Sequence, residues 1–389
     1  MIYLETIYLE KIEIFLLLGL GICFIIQMLY YSIFFTKILR YKAQISRGKH
    51  VFSSNSQAVS VIICAQNESQ NLSKYLPSIL SQDYPVFEVI VVNDGSTDES
   101  EEILGQLENT YKNLYRTYVP SEVKSLSRKK LAVTIGAKAA KYDLLLFAEA
   151  SSEPVSKDWI RLMARHFDSE KSVVLGFSAF SKSQGFFNKF AVYDNLFTGM
   201  QYLSLALLGR PYMGVKGNMA YKKELFFSHK GFYKHLNLQA GEDDLFINEV
   251  ATRSNTAVEI SQESITVNHL NDLSIWREMK ISRATTQRYY KRDSVFFLRV
   301  ESFSSSCFFL FSFALLFIGF SSYPIIITVG LLFFLRLLVQ VIVINKNAIS
   351  LGVERFYFTL PIFDFILLIY NIYCYIYRFY RGKNDYTWK

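Results

Sequence analysis

The sequence is short of the residues that staple or metallate a small fold. Its four cysteines, Cys23, Cys64, Cys307 and Cys374, lie far apart. Three sit in apolar stretches and one in an expected buried strand, so neither a disulfide framework nor a zinc spacing follows. The five histidines are equally scattered, and no histidine metal site is expected. Basic residues are dispersed and no zinc-finger or RNA-binding signature accompanies them, which sets nucleic acid aside as a partner. A cleavable leader is not expected, and the first apolar run is expected to be retained as an anchor. The first apolar run is too long, the acidic residues Glu5, Glu10 and Glu13 precede it, and no small-residue cleavage site follows.

Apolar and aromatic residues are abundant: 51% of the 389 residues are hydrophobic, with 34 Phe and 26 Tyr. That mixture suits a chain meeting lipid, and the length suits one soluble domain plus membrane segments. Ile14–Phe35 is apolar apart from Gln27, long enough for a spanning helix. Lys37, Arg40, Lys42, Arg47 and Lys49 follow it. The positive-inside rule therefore places the next domain in the cytoplasm of a multi-pass protein of the inner cell membrane. After residue 302 come three more apolar runs, 303–320, 325–344 and 356–376, with a tight break at Ser321–Pro324. The last run carries Pro361, Asp364 and Asn371, and either spans the bilayer or lies in its interface. Three full spans would send the basic tail, Arg378, Arg381 and Lys383, outside; two spans and an interfacial helix keep it inside. Arg336 and Asp364 either pair or snorkel. The expected division is an anchor and basic linker over 1–50, a soluble domain over 51–300 and membrane segments over 301–389.

Within the soluble part, short β-branched runs alternate with amphipathic stretches, which predicts an α/β domain with a mostly parallel sheet. Strands are expected at Val59–Cys64, Phe87–Val92 and Leu144–Phe147, with a helix over Asn71–Ser81. The strand 87–92 ends abruptly in Asn93, Asp94, Gly95, Ser96 and Thr97 before a helix near Asp98, and ligands of open α/β sheets sit at such carboxyl ends. An apolar stretch at Phe186–Leu208 fits core packing better than bilayer contact.

Two strand ends, VSVIICAQNE at 59–68 and VIVVNDGSTDES at 89–100, resemble the opening of family 2 glycosyltransferases. That resemblance implies a GT-A fold, of Rossmann-like mostly parallel sheet, flanked here by transmembrane helices. It also implies inverting transfer from a nucleotide-sugar donor, with a UDP-sugar expected. Asp94, with Glu68 nearby, would hold base and ribose, and Lys130, in the stretch after Ser127, would contact the donor phosphate. The family ends a later strand in Asp-x-Asp, two carboxylates for Mg²⁺ or Mn²⁺. In this chain Glu149 and Ser151 take those positions, a degraded motif with one strong metal ligand in place of two; Glu153 could compensate only by reaching back across the turn.

The segment 212–221 is similar to the family's acceptor side. Gly241–Glu249 resembles its Glu-Asp motif, which makes Glu242 or Asp243 the base that deprotonates the acceptor hydroxyl. Trp276, Lys280 and Arg283 loosely match a Gln-x-x-Arg-Trp element on the acceptor or membrane side. The resemblance runs from about Val59 to Arg292. Its acceptor would be a cell-envelope glycan or a lipid-linked molecule, in contact with membrane lipids. The alternative is a catalytically degenerate scaffold that binds nucleotide sugar or a partner. Few spans are available for a processive polymer synthase or a transporter, and both are disfavoured.

Overall fold

The computed structural model describes residues 11–380 except 51, 54, 55, 121–126, 183 and 271. Val51, Glu5, Glu10, Arg381 and Lys383 therefore lie outside the described residues, as does the Arg378 side chain.

Among the described residues, ten strands form two sheets: β1 Val59–Ala65, β2 Phe87–Asn93, β3 Leu114–Tyr118, β4 Leu144–Glu149, β5 Ser152–Pro154, β6 Val173–Leu175, β7 Ser178–Phe180, β8 Met219–Lys222, β9 Thr256–Val258 and β10 Thr266–Asn268. The larger sheet has the order β3-β2-β1-β4-β8-β6-β9, and the smaller one β5-β10-β7. β1 runs parallel to both β2 and β4, and β2 to β3, so the predicted parallel core is present. β8 is antiparallel to β4 and β6. Each of the three expected strands extends one or two residues further than its apolar run, because the polar end residues Asn93 and Glu149 still complete the ladder.

Thirteen helices accompany the sheets among the described residues: α1 Lys11–Leu29, α2 Lys37–Ser46, α3 Ser69–Leu80, α4 Ser100–Thr110, α5 Arg128–Ala139, α6 Trp159–Ala164, α7 Phe186–Leu207, α8 Lys223–Ser228, α9 Asp244–Val250, α10 Leu273–Thr286, α11 Arg292–Ile318, α12 Tyr323–Ser350 and α13 Leu360–Tyr380. The period of two along the strands divides the core. Val61, Ile63, Val89 and Val91 pack with Leu72, Leu76 and Trp159 on one face. Ile62, Ile90, Val92 and Phe147 face the other, whose apolar cluster continues through α7 to Tyr31, Phe35, Val343 and Phe363. The soluble domain is thus joined to the membrane helices through a shared core rather than a linker alone. Fourteen of the 22 residues of α7 are buried, Asp194 and Asn195 among them, which is the expected core packing.

Among the described residues, four helices are long and apolar enough to cross a membrane: Lys11–Ser46, Arg292–Ile318, Tyr323–Ser350 and Leu360–Tyr377. This is a membrane protein. The helix at 292 starts well before the apolar run at 303, because Ser294, Val295 and Leu298 pack against the domain. Arg336 on α12 pairs with Asp364 on α13, Nη1 to Oδ2 2.7 Å, and its Nη2 donates to Ser305 on α11 at 3.0 Å and to Gln27 on α1 at 3.3 Å. The guanidinium and its partners thereby tie all four apolar helices together, and a charge so deep persists only because it is paired and hydrogen-bonded.

Candidate active site

Register puts the chemistry at one edge. Cys64 pairs with Val92 and with Glu149, so the residues following β1, β2 and β4 converge at the carboxyl end of the sheet, where the strand order reverses. The first two loops are stitched together by short polar side chains. Asn67 donates its backbone N–H to Ser96 Oγ, and its Oδ1 accepts from Thr97 N at 2.8 Å. Ser69 N donates to Asp98 Oδ2 at 2.9 Å, and Asp98 Oδ1 accepts from Ser100 N. Desolvation is outweighed by the Ser100 hydroxyl, which donates to Oδ1 at 2.6 Å, and by the Ser69 and Ser100 amides, so the Asp98 carboxyl is held down at about 2.

Asp94 is buried, and its Oδ1 accepts from Arg128 Nε and from Nη2, each at 2.7 Å. Gly95 beside it sits at φ +69°, where a Cβ would stand 3.1 Å from Arg128 Nη2. Glycine therefore relieves both the backbone and the approach of the guanidinium. Glu68 is half-buried and accepts from Asn71; burial, with Glu149 and Asp98 nearby, raises its carboxyl. The Lys130 ammonium is taken up by backbone carbonyls. The residue is 1% exposed, and its ammonium donates to the carbonyls of His235 and Leu238. Burial lowers it to about 8. The cation beside Asp94 is Arg128, which reads in sequence as a solvated helix start.

At the end of β4, Glu149 Oε2 accepts from Asn268 Nδ2, and Ser151 Oγ donates to Asn268 Oδ1 at 3.1 Å. Glu153 does not reach back: it pairs with His269 at 2.9 Å, whose ring stacks on Tyr75. The donors around Glu149 are an amide, a hydroxyl and one carboxylate, a poor set for a hard divalent cation that prefers several carboxylate oxygens. Lys216, which the sequence reading passed over inside its glycine-flanked segment, is half-buried here. Burial works against its charge, and Cys64, Glu242, Glu149 and Asp243 more than offset this, raising the ammonium above its ordinary range. The backbone beside it is close to Glu149: a Cβ on Gly217 would stand 3.4 Å from Glu149 Oε2 and 2.7 Å from Ser178 Oγ. A lysine is no metal ligand while charged, so Lys216 adds a cation, not a ligand, to this acidic edge.

The acidic segment before α9 divides by partner. Asp244 is 2% exposed; its Oδ2 accepts from Thr286 Oγ1 and Tyr290 OH, and Leu245 N donates to Oδ1. Asp243 caps α9, its Oδ1 accepting from Asp244 N at 2.7 Å, while its Oδ2 accepts from Lys216 N at 3.4 Å. Burial, and then the charges of Asp244 and Glu242, raise the Asp243 carboxyl, with Arg283 opposing. Glu242, half-buried, lies within electrostatic reach of the Lys216 ammonium. Sequence-predicted Glu68, Asp94, Glu149, Glu242 and Asp243 are thus gathered around this edge, and Arg283 reaches it from α10.

Trp276 and Lys280 are held to one side. Trp276 Nε1 donates to Asp194 Oδ2 at 2.8 Å and its ring stacks on Tyr370 at 4.8 Å, while Lys280 Nζ donates to Asp194 Oδ1 at 2.6 Å and to Asn371. These two bind α10 to α7 and α13, and Asp194 gave no signal in a sequence stretch dominated by Phe, Tyr and Leu.

Residues 60–227 match the profile of Glycosyl transferase family 2. An uncharacterized glycosyltransferase of Haemophilus influenzae is 29% identical over 123 residues, 31% of this chain and 35% of that protein. A poly-beta-1,6-N-acetyl-D-glucosamine synthase of Staphylococcus epidermidis is 32% identical over 96 residues, 25% of this chain and 22% of that protein. The matched region spans about a third or less of the length of these relatives. A mannosyltransferase from Pyrobaculum calidifontis, solved in complex with GDP-Man and Mn²⁺, superimposes with a TM-score of 0.58 at 15% identity, covering 94% of this chain and all of that one. With that fold and that profile match, this membrane protein carries, over residues 60–227, a glycosyl transferase family 2 domain of GT-A-like fold.

Proposed function

We propose that the chain transfers a sugar from a nucleotide donor, with inversion, to an acceptor presented at the membrane surface, and that its soluble domain faces the cytoplasm. The carrying observation is the convergence of Asp94, Glu149, Lys216 and Asp243 at the carboxyl edge of one sheet. Asp94, oriented by Arg128, accepts hydrogen bonds from base or ribose, and Glu68 stands beside it. Lys216 lies against the leaving diphosphate and offsets its charge, the part a divalent cation plays where two aspartates hold one.

Asp243 is the base. Its raised carboxyl is matched to proton transfer near neutral pH, whereas Asp244 is fully occupied by Thr286, Tyr290 and the helix backbone. In the step, the acceptor hydroxyl gives its proton to Asp243 as its oxygen bonds to the anomeric carbon. The bond from that carbon to the diphosphate breaks, and its electron pair leaves on the nucleoside diphosphate. Trp276 and Lys280 position α10 at the acceptor side, and Arg283 lies between that helix and the base.

The test is release of nucleoside diphosphate by the purified protein from a panel of UDP- and GDP-sugars, with membrane lipid extract as acceptor, with and without Mn²⁺. Transfer, or slow donor hydrolysis, with at least one donor is expected. Nucleotide binding with neither transfer nor hydrolysis under any metal condition would instead make the chain a nucleotide-sugar-binding scaffold.

A further inference from the structure

A second polar cavity of about 450 Å³ lies away from the carboxyl edge, beside β9 at the outer side of the large sheet. Its walls carry Lys37, Arg165, His166, Lys171 and Arg253, against one acidic side chain, Asp168. The inventory of partners leaves positive charge over. Arg165 Nη2 is 2.7 Å from the fully buried Glu259, which also holds His166 at 2.8 Å. Asp168 Oδ1 accepts the backbone N–H groups of Glu170 and Lys171, and the Lys171 ammonium donates to the Ser254 carbonyl. No carboxylate of a described residue lies within 4 Å of the Lys37 or Arg253 charge. The Arg253 stem is packed on Gly209, where a Cβ would come within 2.6 Å of Arg253 Cγ, so the stem is fixed at the cavity wall while the residue stays exposed to solvent.

The position matters as much as the charge. Lys37 follows the apolar run that ends at Phe35 by two residues, and opens α2. Leu207 and Leu208, at the end of α7, form another wall. Arg210, next in the chain after Gly209, pairs with Asp293 at the start of α11, one of the membrane helices. The cavity therefore lies where two apolar helices meet the domain. A basic pocket beside helices of that kind suits the phosphodiesters of lipid headgroups.

We propose that this cavity is a phosphate site occupied by the headgroup of an anionic phospholipid, which seats the domain on the bilayer. Lys37 and Arg253 provide the charges that contact the phosphate, and Arg165, fixed by Glu259, forms the floor. The site is independent of the transfer reaction, and a binding readout tests it whether or not the enzyme turns over.

The full chain in neutral detergent is unfolded thermally with short-chain phosphatidylglycerol, with phosphatidylcholine, and with inorganic phosphate. Phosphatidylglycerol is expected to raise the midpoint by about 3 °C over phosphatidylcholine. The pair Lys37→Gln with Arg253→Gln should lose that rise, and Lys37→Arg with Arg253→Lys should keep it. An equal rise with inorganic phosphate would keep the phosphate site and overturn its lipid source. Equal midpoints in the two lipids, or a phosphatidylglycerol effect that survives the charge-removing pair, would overturn the proposal.

Discussion

Arg128 places two nitrogens, Nε and Nη2, on the same oxygen of Asp94, each at 2.7 Å, from the first turn of a helix that starts 34 residues further along the chain. The other carboxylate oxygen is left for a ligand. Asp94→Asn should weaken binding of UDP by about 10- to 100-fold, since hydrogen bonds to a charged group are worth about 1.5–3 kcal/mol. Arg128→Gln should cost less, because it removes the orienting partner and leaves the acceptor. Titration calorimetry of both variants reads the difference; equal losses would mean that Arg128 itself contacts the nucleotide.

In the proposed mechanism Lys216 is the residue that offsets the charge of the diphosphate. Lys216→Gln should lower turnover by about 100-fold, the scale of losing one preorganised charge at a reacting group, and Lys216→Arg should retain most of it. Transfer by the wild type should persist in a chelator. Activity that falls to background on chelation and returns with Mn²⁺ would show that Glu149 works with a metal instead.

The pH profile separates the three acids. Burial and the neighbouring charges of Asp244 and Glu242 raise the folded pKa of Asp243, and a base works only when deprotonated, so activity is lost as pH falls through that raised value. The acid limb of kcat/KM should therefore lie well above the ordinary carboxylate value of about 4. Asp244→Asn keeps acceptors for Thr286 and Tyr290 while removing one negative neighbour, and should move that limb to lower pH. A limb that stays in place would assign the titration to another group.

Glu259 makes a stability prediction away from the site. Burial would raise its carboxyl, but the His166 hydrogen bond and charge and the Arg165 charge outweigh this and hold it at about 2. A depressed acid stabilises the fold fully above its unfolded pKa of about 4.3 and loses that contribution as pH falls toward 2. Glu259→Gln should cost about 3 kcal/mol at pH 7, mostly by leaving Arg165 and His166 without their buried anion. Thermal unfolding at pH 7 and pH 3 should show the gap narrowing in acid; a gap unchanged between the two would refute the assignment.

Much of this architecture is legible in the chain because local patterns encode it. Short apolar runs gave the positions of β1, β2 and β4, and long ones gave the first three membrane helices, since burial on both faces or in lipid leaves a nearly continuous apolar signature; the last run, broken by Pro361, Asp364 and Asn371, left spanning and interfacial readings open. The pair Arg336–Asp364 was one of two readings open in the sequence, and the fold brings the two charges within 2.7 Å. What sequence could not show was partner choice across long separations. Lys130 sits in the expected stretch, yet its ammonium turns inward to carbonyls more than 100 residues away, while its neighbour Arg128 meets Asp94. Lys216 carries no local mark, because its acidic surroundings are assembled from β1, β4 and the start of α9. Asp194 hides in an apolar helix for the same reason: its partners, Trp276 and Lys280, lie on α10.

The most direct measurement compares single-turnover transfer by the wild type and Asp243→Asn at equal saturation with the nucleotide sugar, with binding of the donor measured in parallel. The account predicts unchanged donor affinity within a few-fold and a loss of about 1,000-fold or more in the transfer rate, within the range for removing an essential general base. Equal rates in the two proteins, or donor binding without turnover in both, would contradict it.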